Sequence, residues 1–550
     1  MNQLFFGDNL DVLRESIRDE SVDLIYLDPP FNSSATYNVL FSSPKGHESD
    51  AQIEAFEDTW HWGPQAEREF DEIMHQQNTQ VAEMMGSFRQ FLGENDMMAY
   101  LTMMANRLLE LNRVLKPTGS LYLHCDPTAG HYLKVLLDGV FGNEHFRNEI
   151  SWHRSGRRSS ISKVYRRAHD VILFYTKSDE YTFHLLYEEK DDTLLRKYTL
   201  NDERGVYRLV PLMASGKVAE GGTGKPWRGY DPNSRGKAGM HWLTTADKLE
   251  AYVTQGLVDF PRKSDGVPQL KYYLEQNKGI PLSDFWDDID LINSMGSESL
   301  GYQTQKPLAL LERIVQASSN EGDLVLDPFC GCGTAVHAAQ KLNRTWVGID
   351  ITHLAISLIE KRLKDAFPEI LFEVHGTPKD YEGARNLAER DKYQFQWWAT
   401  SLVNAQPYQG KKKGADSGID GLIFFQDEAN NVPKKIVVSV KGGENIGVPM
   451  VRDLRGTMDR QKAEIGLFVT LNAPTKPMIT EAATAGFYTS PTGGKFPRIQ
   501  LLSIEGLLEG KEAARYPNLD AGALTFRKAQ IEHGEDKQRG LFEQKAKPKG

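Results

Sequence analysis

The chain has 550 residues, 40% hydrophobic and 25% charged, which exceeds one ordinary domain and excludes a disordered, collagen-like or coiled-coil protein. Its formal net charge of −10 argues against a uniformly basic coat, although a local basic stripe is enough to hold nucleic acid. No run of about 18 apolar residues occurs, so no membrane helix is expected.

Residues 1–8 lack the basic segment and long apolar core of a secretory signal. Leu4 to Phe6 reads as a short strand, Asn9 to Ile17 as a helix and Val22 to Leu27 as a mostly apolar strand. Asp96 to Leu115 has helical apolar spacing and meets a turn signal at Lys116-Pro-Thr-Gly119; Ser120 to His124 is the next strand and His131 to Phe141 the next helix. The alternation predicts an α/β fold with a doubly wound, mainly parallel sheet. Residues 41–95 and about 180–300 interrupt it, the latter as an insertion rich in Gly, Pro, Trp and basic residues. It resumes with a helix at Pro307 to Ser318, a strand at Leu324 to Leu326, a helix at Ala335 to Leu342 and a strand at Thr345 to Ile349. A further section begins near Tyr381, and residues 526–550 read as a flexible tail.

The only cysteines, Cys125, Cys330 and Cys332, are too few for a disulfide framework and fit a reducing cytoplasm; Cys330-Gly-Cys332 lacks the second ligand pair of a zinc finger. Two basic runs, Arg154 to Arg167 and Lys411-Lys412-Lys413, are candidates for phosphate contact, and each also reads as a solvated surface.

Asp327-Pro-Phe329-Cys-Gly331-Cys-Gly333-Thr334 joins an apolar strand to a helix through a glycine-rich turn, and Asp350 ends the following strand. Such glycines allow close approach to a ligand, and an acidic strand end about 20 residues on can bind ribose hydroxyls. A nucleotide phosphate is the rival ligand, but the P-loop lysine and the full G-x-G-x-x-G are missing. Asp327 would repel phosphates and suits a cation such as S-adenosylmethionine. A tight turn without ligand remains the bland alternative.

Asp28-Pro29-Pro30-Phe31 follows its strand at the carboxyl end, where open α/β sheets bind ligands. A carboxylate, a stiffened carbonyl and an aromatic face suit an exocyclic amine: Asp28 and the Pro29 carbonyl accept its N–H groups and Phe31 stacks on the base. Together with Gly7-Asp8-Asn9, Phe285-Trp-Asp-Asp-Ile289, Thr304-Gln-Lys306-Pro307, the Asp327–Gly333 turn and Asp350, this motif resembles the amino-methylating DNA methyltransferases, in the permuted beta order. The resemblance covers about residues 1–375. It implies S-adenosylmethionine bound around Asp8, Thr304, Lys306, Asp327, Phe329, Gly331, Gly333 and Asp350, catalysis at Asp28, Pro29, Pro30 and Phe31, and a target-recognition region at about 180–300. Asp rather than Ser at position 28 favours adenine N6 over cytosine N4. The Pro-Cys nucleophile of cytosine-C5 methylation is absent.

Gly418-Ile-Asp420-Gly-Leu-Ile-Phe-Phe425 and Lys434 to Lys441 read as a hairpin centred near Asn430-Asn431, which would set Asp420 opposite Lys441 with Ser439 on the same face. This pattern, with Val451 to Gly456, Gly466 to Thr470 and Ile479 to Phe487, resembles a restriction-endonuclease-like core of the Mrr type. Ser439 departs from that family's Glu or Gln. The resemblance implies a Mg²⁺-dependent endonuclease using Asp420 as metal ligand with Ser439 and Lys441, or a non-cleaving fold kept for DNA binding. The expected organisation is therefore residues 1–380 for methyl transfer, 381–525 nuclease-like and 526–550 tail. The expected partner is double-stranded DNA, with no membrane and with a homodimer left open.

Overall fold

The computed structural model describes residues 1–30, 36–42, 48–57, 60–125, 128–154, 163, 165, 168–188, 190, 192–216, 218, 222–234, 239–262, 266–292, 298–300, 304–408, 418–427, 433–517, 525–526, 529 and 531–532. A nine-stranded sheet runs in the order Phe285–Trp286, Phe146–His153, His169–Thr176, Leu115–Cys125, Val22–Leu27, Leu324–Asp327, Thr345–Asp350, Asn2–Phe6, Phe372–His375. His169–Thr176 pairs antiparallel with both neighbours, and every other pairing is parallel.

Both faces of this sheet are buried, which is why its strands read as near-continuous apolar runs. One face carries Phe5, Ile25, Leu27, Leu121 and Ile349 against the helices Asn9–Ser16, Asp96–Val114 and Gly130–Phe141. The other carries Leu4, Leu24, Tyr26, Val325 and Trp346 against Leu308–Ser318, Thr334–Lys341 and His353–Ala366. The helix starts are set by side-chain caps: Asp8 accepts from the Leu10 N–H, Asn95 from that of Met98 and Thr352 from that of Ala355.

The strand after Lys116-Pro-Thr-Gly119 starts earlier than the sequence led us to expect. Leu115–Cys125 is extended throughout, and Lys116–Gly119 are accommodated as a register shift opposite Val22–Leu24. The Lys116 ammonium holds Asp23 at 2.7 Å there, so the segment is tied to the sheet rather than turning away.

Leu185–Ser283 is a compact unit of its own. It contains a four-stranded antiparallel sheet ordered Val258–Asp259, Gln269–Tyr273, Gly205–Pro211, Leu200–Asp202, and a core around Trp227, Trp242 and Leu249. The sequence after Tyr381 forms a second mixed sheet, ordered Gln406–Pro407, Gly421–Phe425, Lys434–Lys441, Ile465–Thr470, Ile499–Ser503.

Two residues of the expected tail are packed. Phe526 lies under the Lys361 ammonium, and Glu532 accepts from Lys341 and meets His337 at 3.2 Å. Residues 533–550 lie outside the described residues. Among the described residues no helix is long and apolar enough to cross a membrane.

Candidate active site and cofactor cleft

Val22–Leu27 and Leu324–Asp327 lie side by side, with Leu24 and Ile25 level with Val325 and Leu326. The chain leaves the first toward Leu115–Cys125 on one side and the second toward Thr345–Asp350 on the other. Their carboxyl ends therefore flank a topological switch point, where the crevice of a doubly wound sheet opens. Asp28 continues one strand and Asp327 ends the other.

A cavity of about 510 Å³ opens there, a size suited to a small-molecule cofactor. It is lined by Asp8, Asp28, Pro29, Pro30, Thr304, Lys306, Asp327, Phe329, Gly331 and Asp350. Motifs separated by some 300 residues thus meet in one cleft. Gly333 shapes the turn without lining the cavity, and Phe31 lies outside the described residues, as do Lys411–Lys413 and most of the run after Arg154.

The glycine-rich turn is fixed from both sides. Gly331 and Gly333 have φ of +54° and +77°, which side chains rarely adopt. Asp350 accepts from the Gly331 N–H at 2.9 Å and from the Thr352 N–H and hydroxyl, and the Gly7 N–H donates to the Asp350 carbonyl. Behind the turn, the buried Arg362 donates to the Cys332 carbonyl and the Thr334 hydroxyl, each at 3.1 Å. Arg107 clamps the other wall, binding Asp8 through both oxygens and Asn9 through Nε, while Asn9 donates to the Pro328 carbonyl at 2.8 Å. Asn9 belongs to the Gly7-Asp8-Asn9 motif singled out in the sequence, whereas Arg107 and Arg362 were invisible as site residues there, because each sits within an ordinary helical pattern.

The cleft is crowded with acid. Burial, with the Asp28 and Asp350 carboxylates adding to it, pushes Asp327 up to about 8 against the Phe329 N–H bond. Burial pushes Asp350 up to about 6 despite its three donors. On the acceptor side, Asp28 Oδ2 forms an ion pair with Lys306, whereas the buried Oδ1 has no hydrogen-bond partner among the described residues. Below it the Tyr26 hydroxyl meets His124 Nδ1 at 3.2 Å, His124 Nε2 meets Asp170 at 3.1 Å, and Arg154 holds the other Asp170 oxygen at 3.0 Å. Burial, with the Lys306 charge adding to it, holds the His124 imidazole below its ordinary value against the Asp170 bond.

In the second sheet the hairpin register differs by two residues from the expected one. Gly421 faces Val438 and Leu422 faces Val437, and the Asp420 N–H donates to the Val438 carbonyl, so continuing the ladder sets Asp420 opposite Ser439. The Asn430-Asn431 loop lies outside the described residues. Lys441 still reaches Asp420, at 3.9 Å. Both Asp420 oxygens are engaged: Oδ1 accepts from Gln396 at 2.9 Å and Oδ2 from the Val440 N–H at 2.6 Å. Gln396, from the helix Lys392–Leu402, was not singled out in the sequence. Ser439 is a neutral hydroxyl, and among the described residues no group of three or more His, Cys, Asp or Glu side chains is arranged to hold a metal ion. One carboxylate already bonded through both oxygens does not fit a Mg²⁺ ion, which favours several oxygen ligands with carboxylates among them.

A DNA methylase family model matches residues 22–361, and a restriction endonuclease model matches residues 387–509. The chain belongs to the DNA methylase family, with a restriction-endonuclease-like domain following it. Type II methyltransferase M.EcaI of Enterobacter cloacae is 36% identical over 265 residues, 48% of this chain and 57% of that protein. The Mod subunit of the type III restriction-modification enzyme StyLTI of Salmonella typhimurium is 27% identical over 354 residues, 62% of this chain and 50% of that protein. Type II methyltransferase M.BamHI of Bacillus amyloliquefaciens is 25% identical over 365 residues, 66% of this chain and 57% of that protein. The chain thus spans about half the length of these curated relatives.

Proposed function

We propose that the chain transfers a methyl group from S-adenosylmethionine to an exocyclic amine of double-stranded DNA, with adenine N6 as the acceptor. The observation that carries this reading is Asp28, whose buried Oδ1 has no hydrogen-bond partner among the described residues, beside Pro29 in the same cavity as the glycine-rich turn. The cofactor fits the residues present. The two acids whose ionisation burial suppresses, Asp327 and Asp350, gain from a bound cation and from ribose hydroxyls respectively. Asp8, Thr304, Phe329 and Gly331 complete its walls. When bound, it supplies an electrophilic methyl whose C–S bond breaks, the electron pair staying on sulfur, as the amine lone pair forms the N–C bond.

The chain's own contribution is placement. Asp28 Oδ1 and the Pro29 carbonyl accept the two N–H groups of an extrahelical base, drawing the nitrogen lone pair out of ring conjugation and aligning it. The proton released after transfer passes to Asp28 and then to solvent. Phe31 stacks on the base. Adenine rests on Asp at position 28. The unit Leu185–Ser283 is assigned to target recognition, and the Arg154 segment to phosphate contact. The nuclease-like domain is assigned to DNA binding without cleavage.

Asp28→Ala tests the reading. Calorimetry with S-adenosylmethionine should show binding close to wild type, while a tritiated-methyl assay on genomic DNA should show no transfer. Transfer at the wild-type rate in the variant would remove Asp28 from the reaction.

A further inference from the structure

We propose that Lys306 is the positioning residue of the acceptor site: by holding one oxygen of Asp28 it leaves the other as the single acceptor for the incoming amine. The inference rests on the methyl-transfer reading, and it differs from the cofactor-contacting role that motif resemblance gave this lysine.

Three observations carry it. First, the Lys306 ammonium is on Asp28 Oδ2, with both side chains mostly buried, and Oδ1 is the atom left without a partner among the described residues. An unrestrained aspartate turns freely about its last torsion, because the two oxygens are equivalent in a broad two-fold well. An ion pair on one oxygen removes that freedom and fixes the place of the other.

Second, the lysine's own backbone is fixed. Pro307 follows it and caps the helix Leu308–Ser318. Gln305, just before it, donates to the Glu298 carbonyl and accepts from the Leu300 N–H, each at 2.8 Å, and the Glu298 carboxylate accepts from the Leu308 N–H. The ammonium is thus delivered from an anchored loop.

Third, few cations line the cleft, and the other one is already committed. Asp28, Asp327 and Asp350 line one cavity, while the other buried cation lining it, Arg107, is committed to Asp8. Lys306 is therefore the cation that reaches Asp28, and its effect on transfer passes through that carboxylate.

Full-length Lys306→Met, Lys306→Gln and Lys306→Arg test this. Calorimetry gives cofactor affinity and confirms folding, and single-turnover methyl transfer is followed at saturating cofactor. The expected result is nearly unchanged cofactor affinity in all three. Transfer falls roughly 100-fold in the Met and Gln variants, the loss typical of a misplaced reacting group. Arg restores much of the rate, because it returns a cation to the same carboxylate oxygen. An active wild type with equally active Met and Gln variants would overturn the proposal while leaving the methyl-transfer reading intact. So would weakened cofactor binding with an unchanged saturated rate, which would make Lys306 a cofactor ligand. A cofactor-binding wild type that transfers no methyl to any DNA would overturn the underlying reading and this proposal with it.

Discussion

At the scale of single residues, the cleft holds two acids, Asp327 and Asp350, whose protons burial makes harder to lose. Asp327, pushed up to about 8, holds a proton at neutral pH in the ligand-free protein. A cation beside it favours the ionised form and lowers that value, so binding a sulfonium releases the proton. Affinity for S-adenosylmethionine should therefore rise with pH up to about 8, by at most about tenfold per pH unit, and then level off. S-adenosylhomocysteine, whose sulfur is neutral, should show a shallower slope, and Asp327→Asn should flatten the dependence for the cofactor. Calorimetry in buffers of different ionisation enthalpy measures both the slope and the proton released. An affinity independent of pH in the wild type would separate Asp327 from the cationic ligand. The neighbouring chain Tyr26–His124–Asp170–Arg154 joins the cavity floor to the start of the basic run, and it was not legible in the sequence because its members come from four strand ends.

At the scale of elements, the turn after Leu324–Asp327 carries the cofactor side of the site. A methyl group at Gly333 would lie 2.8 Å from Ile359 Cγ1, on a backbone with φ of +77°. Gly333→Ala should lower stability by about 1–3 kcal/mol through strain and overpacking. Thermal melts should show the drop, together with a smaller stabilisation by S-adenosylmethionine. An unchanged melting temperature would contradict the strain argument. This turn was legible because its chemistry is local: glycines between a strand and a helix, with an acid at each strand end. The strands Val22–Leu27 and Thr345–Asp350 were legible for a related reason, since burial on both faces leaves a continuous apolar run. Sheet order was not, because pairing Val22–Leu27 with Leu324–Asp327 depends on packing across 300 residues. The hairpin beyond Gly418 shows how local reasoning fails. Asn430-Asn431 marked its centre by composition, yet ladder hydrogen bonds set the register two residues away and put Ser439, not Lys441, opposite Asp420. Lys116-Pro-Thr-Gly119 failed similarly, since an ion pair to Asp23 holds turn-forming residues against a strand.

At the scale of the whole molecule, the chain joins a methylase sheet, the separate unit Leu185–Ser283 and a nuclease-like sheet whose acid, Asp420, is bonded through both oxygens. Incubating the full chain with unmethylated plasmid and Mg²⁺ should leave the plasmid supercoiled, and EDTA should change nothing. Linear product that appears with Mg²⁺ and disappears in Asp420→Ala would restore the cleaving role. Methyl transfer at the other site is tested directly by the nucleosides it leaves in DNA. Unmethylated DNA is incubated with the full chain and S-adenosylmethionine, digested to nucleosides and analysed by mass spectrometry. The wild type should yield N6-methyladenine and Asp28→Ala none. Finding only N4-methylcytosine would contradict the choice of base, and finding no methylated nucleoside would contradict methyl transfer itself.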